Sequence, residues 1–387
     1  MNRTPWPLKL CLSTTVALVT AVVGLLSLEV YLRVQDKRAG RAAESYLPGG
    51  GVDAGLSMYM GHPYLAYTLR PGATRGEPDA MFYQTINEDG FRGRRLAVPK
   101  PPRTYRVLCV GGSTTFGTGA RRDERSYPAV LESLLAEHAP QGWTVEVGNA
   151  GVPGYTTMET LINLTFRLDR YDPDLVIVYH AANDALVIRT PEFQRDYSHA
   201  RRHFELPEPT ELERRVLTPS RVLARLLRPE SVEESPSVLH QLVFTDRFET
   251  RTQPMTAAEK ATGVRVFGRN LRAIASLMES RGVDLLLQTF CMDPSQDKQG
   301  RYRELVQLLN AETQRVAAEY DLTCVDVAAA LDGRSNLFDD WMHLNDEGSR
   351  LHASGLMTPT LRVMTRRFRS MQGRSPRPAD GSETEGG

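Results

Sequence analysis

Val107-Leu108-Cys109-Val110-Gly111-Gly112-Ser113-Thr114-Thr115-Phe116-Gly117 is the stretch that decides the fold. Four apolar residues run into two glycines and a serine, the pattern of a buried strand that ends in a tight turn. Glycine accepts backbone geometry that a Cβ would block, so the turn can present Ser113 at the strand's C-terminal edge. In open parallel sheets ligands bind at that edge, which makes Ser113 a candidate nucleophile. Three other glycine-rich chemistries fail on single residues. Gly112 and Gly117 have the spacing of a P-loop, but Thr118 stands where its lysine belongs. A dinucleotide fingerprint starting at Gly117 has Arg122 in place of its third glycine. The G-x-S-x-G elbow has Thr115 in place of its last glycine. A glycine-rich turn without chemistry is the alternative still open here.

Outward from this stretch, strands alternate with helices. Tyr105–Val110 is the predicted first strand, and Ser126 with Pro128 opens a helix. Thr144–Gly148 is a short second strand. Thr156 and Glu159 form a capping box for a helix with Met158, Leu161, Ile162, Thr165 and Leu168 along one stripe. Leu175–His180 is a third strand, apolar enough to be covered on both faces. A helix over Val266–Met278, a fourth strand over Val283–Phe290, a helix over 302–319 and a fifth strand over Leu322–Val327 follow. A last helix starts after Asn345, its cap. This spacing implies an α/β fold with a parallel sheet.

Each strand end carries polar groups: Ser113, the Asn149–Thr156 loop with Gly151 and Gly154, Asn183-Asp184, and Phe338–Asn345 with Asp340 and His343. These are the parts that acyl transfer needs. A serine hydroxyl requires a base, an imidazole requires a carboxylate to orient it, and an oxyanion requires fixed donors. His180 could compete as the base and Asp339 as the carboxylate. Asp184 reads as a brace for its loop, and Trp341 as a pocket wall or a packing residue. His138, His199, His203, His240 and His352 lack a partner pattern and default to surface or helix positions.

Gly111-Gly112-Ser113-Thr114, Gly151-x-x-Gly154, Asn183-Asp184 and Asp340-x-x-His343 resemble, in order, the four sequence blocks of the SGNH (GDSL-type) hydrolase superfamily. The resemblance covers roughly residues 104–365. It implies a flavodoxin-like three-layer sandwich with a five-stranded parallel sheet, Ser113 as nucleophile, His343 as base and Asp340 as its orienting carboxylate. It also implies an oxyanion hole made by the Ser113 and Gly154 N–H groups and the Asn183 amide. The chain departs from the family at Gly112, where Gly-Asp-Ser is usual, and at Ala181, where the Asn-Asp block has a glycine.

Composition is that of a globular protein, and 47 basic residues balance 47 acidic ones, so no global field favours nucleic acid. No metal-ligand spacing and no cofactor motif are present. Cys109, Cys291 and Cys324 read as buried thiols, and Cys11 falls in an apolar run. That run, Leu10–Leu28, has no charge and is long enough to cross a bilayer. With no small-x-small cleavage site after it, an uncleaved anchor over residues 10–32 is preferred to a signal sequence. Residues 1–9 flank it, 33–60 form a tether, 61–103 lead into a domain over 104–367, and 371–387 read as a disordered tail. The domain is expected on the non-cytoplasmic side. Residues 185–262 read as an insertion, either a lid over the site or a solvated helical excursion. Together these features imply a membrane-anchored serine esterase acting on a small acyl ester of an envelope glycan or lipid. The alternatives are an O-acyltransferase with the same triad and an inactive glycan-binding or scaffold module.

Overall fold

The structure is a computed structural model that describes residues 6–38, 58–76, 78–201, 212, 215, 219–227, 251, 253–297 and 300–372. The chain divides into two compact units, one of residues 1–70 and 203–243 and the other of 71–202 and 244–387.

The larger unit contains the predicted sheet. Counting from the hairpin strands described below, its strands are β5 (Thr104–Gly111), β6 (Thr144–Asn149), β7 (Leu175–Tyr179), β8 (Asp284–Gln288) and β9 (Thr323–Val325), in spatial order β6-β5-β7-β8-β9. All neighbours are parallel. β5 and β7 are buried along their whole length, as helices on both faces require. The chain reverses its winding direction between β5 and β7. That switch point opens the crevice above their C-terminal ends.

Three local readings are corrected. β9 is shorter than expected because Asp326 turns to cap the helix Val327–Leu331, its carboxylate accepting the Ala329 N–H at 3.1 Å. The helix expected over Val266–Met278 runs from Ala257 to Ser280, started by a capping box between Thr256 and Glu259. Residues 257–262 of the expected insertion are therefore part of the sheet's covering layer. On the helix Thr157–Asn163 and the wider turn that continues it to Leu168, the apolar stripe does not form the inner face. Leu168 alone of the five stripe residues is buried, while Thr157, Glu159, Thr160 and Asn163 point inward. They do so because the partners there are polar: Asp184, His180, Arg201 and Asn270. His352, expected at a surface or helix position, lies on the helix Asp346–Gln372 and faces inward. It is buried against Tyr127 and Tyr179, with Nε2 at 2.6 Å from Gln288 Oε1. Cys109 and Cys291 are buried free thiols, and Cys324 is a partly covered one.

In the smaller unit, helix α1 spans Trp6–Arg38, and its apolar stretch from Thr14 is long enough to cross a membrane. Strands β1 (Tyr59–Gly61) and β2 (Tyr67–Leu69) form an antiparallel hairpin. A second hairpin, β3 (Thr74–Gly76) with β4 (Tyr83–Thr85), belongs to the larger unit. Helix α1 continues through 33–38, where a tether was expected, and its polar end has partners. Glu29 pairs with Arg33 at 2.8 Å and accepts the N–H groups of Arg221 and Val222, both at 2.9 Å. It thus caps the short helix Arg221–Leu227, and Asp36 pairs with Arg221 and Arg225. Most of the expected tether, 39–57, and most of the tail lie outside the described residues.

Candidate active site

Ser113 is the first residue of a one-turn helix, Ser113–Phe116, that begins directly after β5 and Gly112. A Cβ on residue 112 would collide with the Asn183 amide nitrogen and lie 3.1 Å from Tyr155 O. Glycine at this position is what lets the Asn183 side chain rest beside Ser113.

The loop after β9 brings the other two groups. His343 Nε2 lies 2.7 Å from Ser113 Oγ, and His343 Nδ1 lies 2.6 Å from Asp340 Oδ2. A carboxylate only accepts, so the proton belongs on Nδ1 and the Nε2 lone pair faces the serine hydroxyl. The other Asp340 oxygen accepts the N–H groups of Met342 at 2.8 Å and His343 at 2.9 Å. Burial alone would raise the Asp340 carboxyl. The His343 hydrogen bond and charge, with those two amides, outweigh it and hold the group below the usual aspartate range. Asp339, the other carboxylate considered, instead ties the loop through its backbone, donating its N–H to His343 O at 2.9 Å. Trp341 stacks on Tyr302 with centroids 4.9 Å apart, which makes it a packing residue.

The loop after β6 folds as Val152-Pro153-Gly154-Tyr155, closed by Tyr155 N–H on Val152 O at 3.0 Å. Gly154 has φ +82°, the left-handed value a Pro-Gly type II turn needs at its third residue. Such a turn points the N–H of that residue away from its own ring. Among the described residues neither the Gly154 nor the Ser113 N–H donates a hydrogen bond. Asn183, on the helix Ala182–Arg189, donates Nδ2 to Tyr155 O at 2.8 Å. Ala181 has φ 177°, extended backbone that any residue adopts, so the glycine usual there is not required.

The structure therefore brings Ser113, His343, Asp340 and Asn183 to one edge, with the Gly154 turn held against Asn183. His180 also lines the cavity beside Ser113, but its Nε2 is committed to Thr160 Oγ1 at 2.8 Å. Burial lowers its pKa to about 4. Asp184 braces the loops, accepting from Thr157 N–H, Thr157 Oγ1 and Tyr197 OH. The space beside Ser113 is a narrow cleft with no room for a water molecule, and Tyr179, Phe290 and Met342 form its apolar side. Sequence reasoning missed Arg201. It donates Nε to Glu159 Oε1 at 2.6 Å and Nη2 to Gly154 O at 2.9 Å. No sequence signal distinguishes it among the arginines of its segment.

Known proteins can be set beside this geometry. An arylesterase of Vibrio mimicus is 41% identical over 81 residues, which are 21% of this chain and 38% of that protein. This chain thus spans well under half of that relative's length. The solved structure of Axe2, an acetylxylan esterase from Geobacillus stearothermophilus, matches 66% of this chain and 93% of its own at 14% identity and a TM-score of 0.40. The acetyl xylan esterase AlAXEase matches 66% of this chain and 98% of its own at 14% identity and a TM-score of 0.40. The sequence profile of the GDSL-like lipase/acylhydrolase family matches residues 109–351, more than half of the chain and every strand end described above. This chain belongs to the GDSL-like lipase/acylhydrolase family.

Proposed function

We propose that this protein is a membrane-anchored serine ester hydrolase that works through an acyl-enzyme on a small acyl ester, such as an acetyl ester, of an envelope glycan or lipid. One observation carries the reading: the continuous chain Ser113 Oγ, His343, Asp340, with contacts of 2.7 and 2.6 Å. In the acylation step Ser113 Oγ attacks the ester carbonyl while its proton passes to His343 Nε2. The Asp340 carboxylate stabilises the imidazolium that results. The Ser113 and Gly154 N–H groups and the Asn183 amide receive the oxyanion. The alcohol then leaves with the proton from His343. Water, deprotonated by the same nitrogen, attacks the acyl group and releases the acid and Ser113.

The narrowness of the cleft beside Ser113 favours a short acyl group over a long one. The apolar, outward-facing surface of α1 from Thr14 to Leu28 supports the anchor, and a substrate outside the cytoplasm is a separate part of the proposal. To test the assignment, full-length protein in detergent is treated with a fluorophosphonate probe and assayed on 4-nitrophenyl esters of increasing acyl length. Wild type is expected to label and to prefer acetate to octanoate, and Ser113→Ala to do neither. Equal labelling of Ser113→Ala would overturn the nucleophile, and preference for long chains would overturn the acyl class. Acyl transfer to added oligosaccharide in place of release of free acid would make the protein a transferase instead.

A further inference from the structure

Besides the Val152 N–H on Gly111 O at 3.0 Å, three bonds bear on the turn that carries the Gly154 N–H. One is its own closing bond, Tyr155 N–H to Val152 O. The second is Asn183 Nδ2 on Tyr155 O. The third comes from outside the family's four sequence blocks: Arg201 Nη2 on Gly154 O at 2.9 Å. The same guanidinium holds Glu159 Oε1 at 2.6 Å, while Glu159 Oε2 accepts the N–H and Oγ1 of Thr156 at 2.7 and 2.6 Å. One fork thus links the turn's carbonyl to the cap of the helix that follows it. Both side chains are enclosed, at 8% and 1% exposure.

A Pro-Gly turn is not rigid by itself. Its central peptide can flip between type II and type I, and glycine accepts both values of φ. That flip would swing the Gly154 N–H away from the direction it now takes. A clamp on Gly154 O does not hold that peptide itself, but it fixes the peptide that follows and so the turn from which the Gly154 N–H projects. Buried arginine–glutamate pairs stabilise folds poorly compared with apolar residues of the same volume, so stability alone gives little reason for one here. Arginine suits the task because its planar fork serves two acceptors at once, which a lysine ammonium does not do in the same geometry.

We infer that Arg201 is a positioning residue that fixes the turn presenting the Gly154 N–H to the oxyanion by holding Gly154 O and Glu159 together. The inference rests on the reading of Ser113, Gly154 and Asn183 given above. It makes the start of the 185–262 segment part of the catalytic apparatus, although Arg201 itself touches no substrate.

The test uses full-length protein in detergent as wild type, Arg201→Lys, Arg201→Met and Ser113→Ala. Active sites are titrated to completion with the fluorophosphonate probe, and kcat and KM for 4-nitrophenyl acetate are expressed per titrated site. Arg201→Met is expected to lower kcat per site about 10- to 100-fold, with KM changed by less than about threefold. Arg201→Lys, which keeps a positive charge for Glu159 and so retains the fold, is expected to lose at least about fivefold in kcat per site. Wild-type kcat per site in Arg201→Lys, with any loss in Arg201→Met arising only from fewer titratable sites, would mean a structural role and overturn the inference. The Ser113→Ala control separates the two readings. Activity surviving there overturns the nucleophile, whereas an inert Ser113→Ala beside a wild-type-like Arg201→Lys overturns the role of Arg201 alone.

Discussion

Two buried arginine–glutamate pairs sit at opposite edges of one sheet, and they differ in what the rest of each guanidinium holds. Arg106, near the start of β5, meets Glu146 at 2.6 Å and also donates to Tyr171 O and Ala97 O, carbonyls of the scaffold. Arg201, at the C-terminal edge, meets Glu159 at 2.6 Å and donates to Gly154 O, a carbonyl of the turn beside Asn183. The chemistry of the two pairs is the same. On the function proposed above, the third partner decides whether loss of the arginine is felt in folding or in turnover.

The comparison can be broken from either edge. The largest effect is expected at the C-terminal edge, where His343→Ala should lower kcat on the order of 10⁴- to 10⁶-fold, because Ser113 loses its base. The folded fraction at assay temperature should hardly change, although the imidazole is mostly covered, at 15% exposure. A loss of activity matched by a loss of folded protein would contradict this. Asn183→Ala should come next, with kcat down about 10²- to 10³-fold, the size seen when one oxyanion donor is removed. This variant also frees Tyr155 O, so combining it with Arg201→Lys should give a non-additive loss.

The N-terminal edge is expected to answer in stability. Arg106→Met leaves Glu146 with a buried charge and should cost about 3 kcal/mol in denaturant unfolding, the low end for a broken buried pair. The low end applies because Arg94 also reaches Glu146 at 3.1 Å. Turnover per titrated site should stay within about twofold, and a tenfold drop would erase the distinction between the edges.

The smallest effect sharpens the contrast by pH. His352 lies between the edges, and burial lowers its pKa to about 3. The unfolded chain takes up this proton as pH falls below about 6.5, while the folded protein resists it. The stability that goes with the neutral ring is thus complete above that pH and is lost as pH falls toward the folded value. Between pH 7.5 and 5 the loss through this residue is about 2 kcal/mol. His352→Phe should be less stable at pH 7.5, because Gln288 loses its partner, and should lose less on acidification. Urea unfolding at the two pH values reads both, and parallel slopes would refute the assignment.

Much of this architecture is legible in the chain itself. The run Val107–Val110 ending in glycines, the apolar Leu175–Tyr179 and the capping residues Thr156 and Asn345 are local signals, and local geometry decides them. Because parallel strands place their C-terminal ends on one side, Ser113, Asn183, Asp340 and His343 are brought to one edge by topology alone. Other features leave no such trace. The inward face of Thr157–Asn163 is polar against the apolar stripe of its own sequence, because its neighbours Asp184, His180 and Arg201 are polar. His352 has no partner pattern, since its partner Gln288 is 64 residues away.

The sequence by itself therefore determined the order of strands and helices and the polar groups at the strand ends, because hydrophobic period and turn chemistry are properties of neighbouring residues. Only the tertiary structure decided that Arg201 grips the Gly154 turn, that Glu29 caps the helix Arg221–Leu227, and that His352 packs against Tyr127 and Tyr179. Those are contacts between residues far apart in the chain, and the packing of the elements, not their local pattern, selects them.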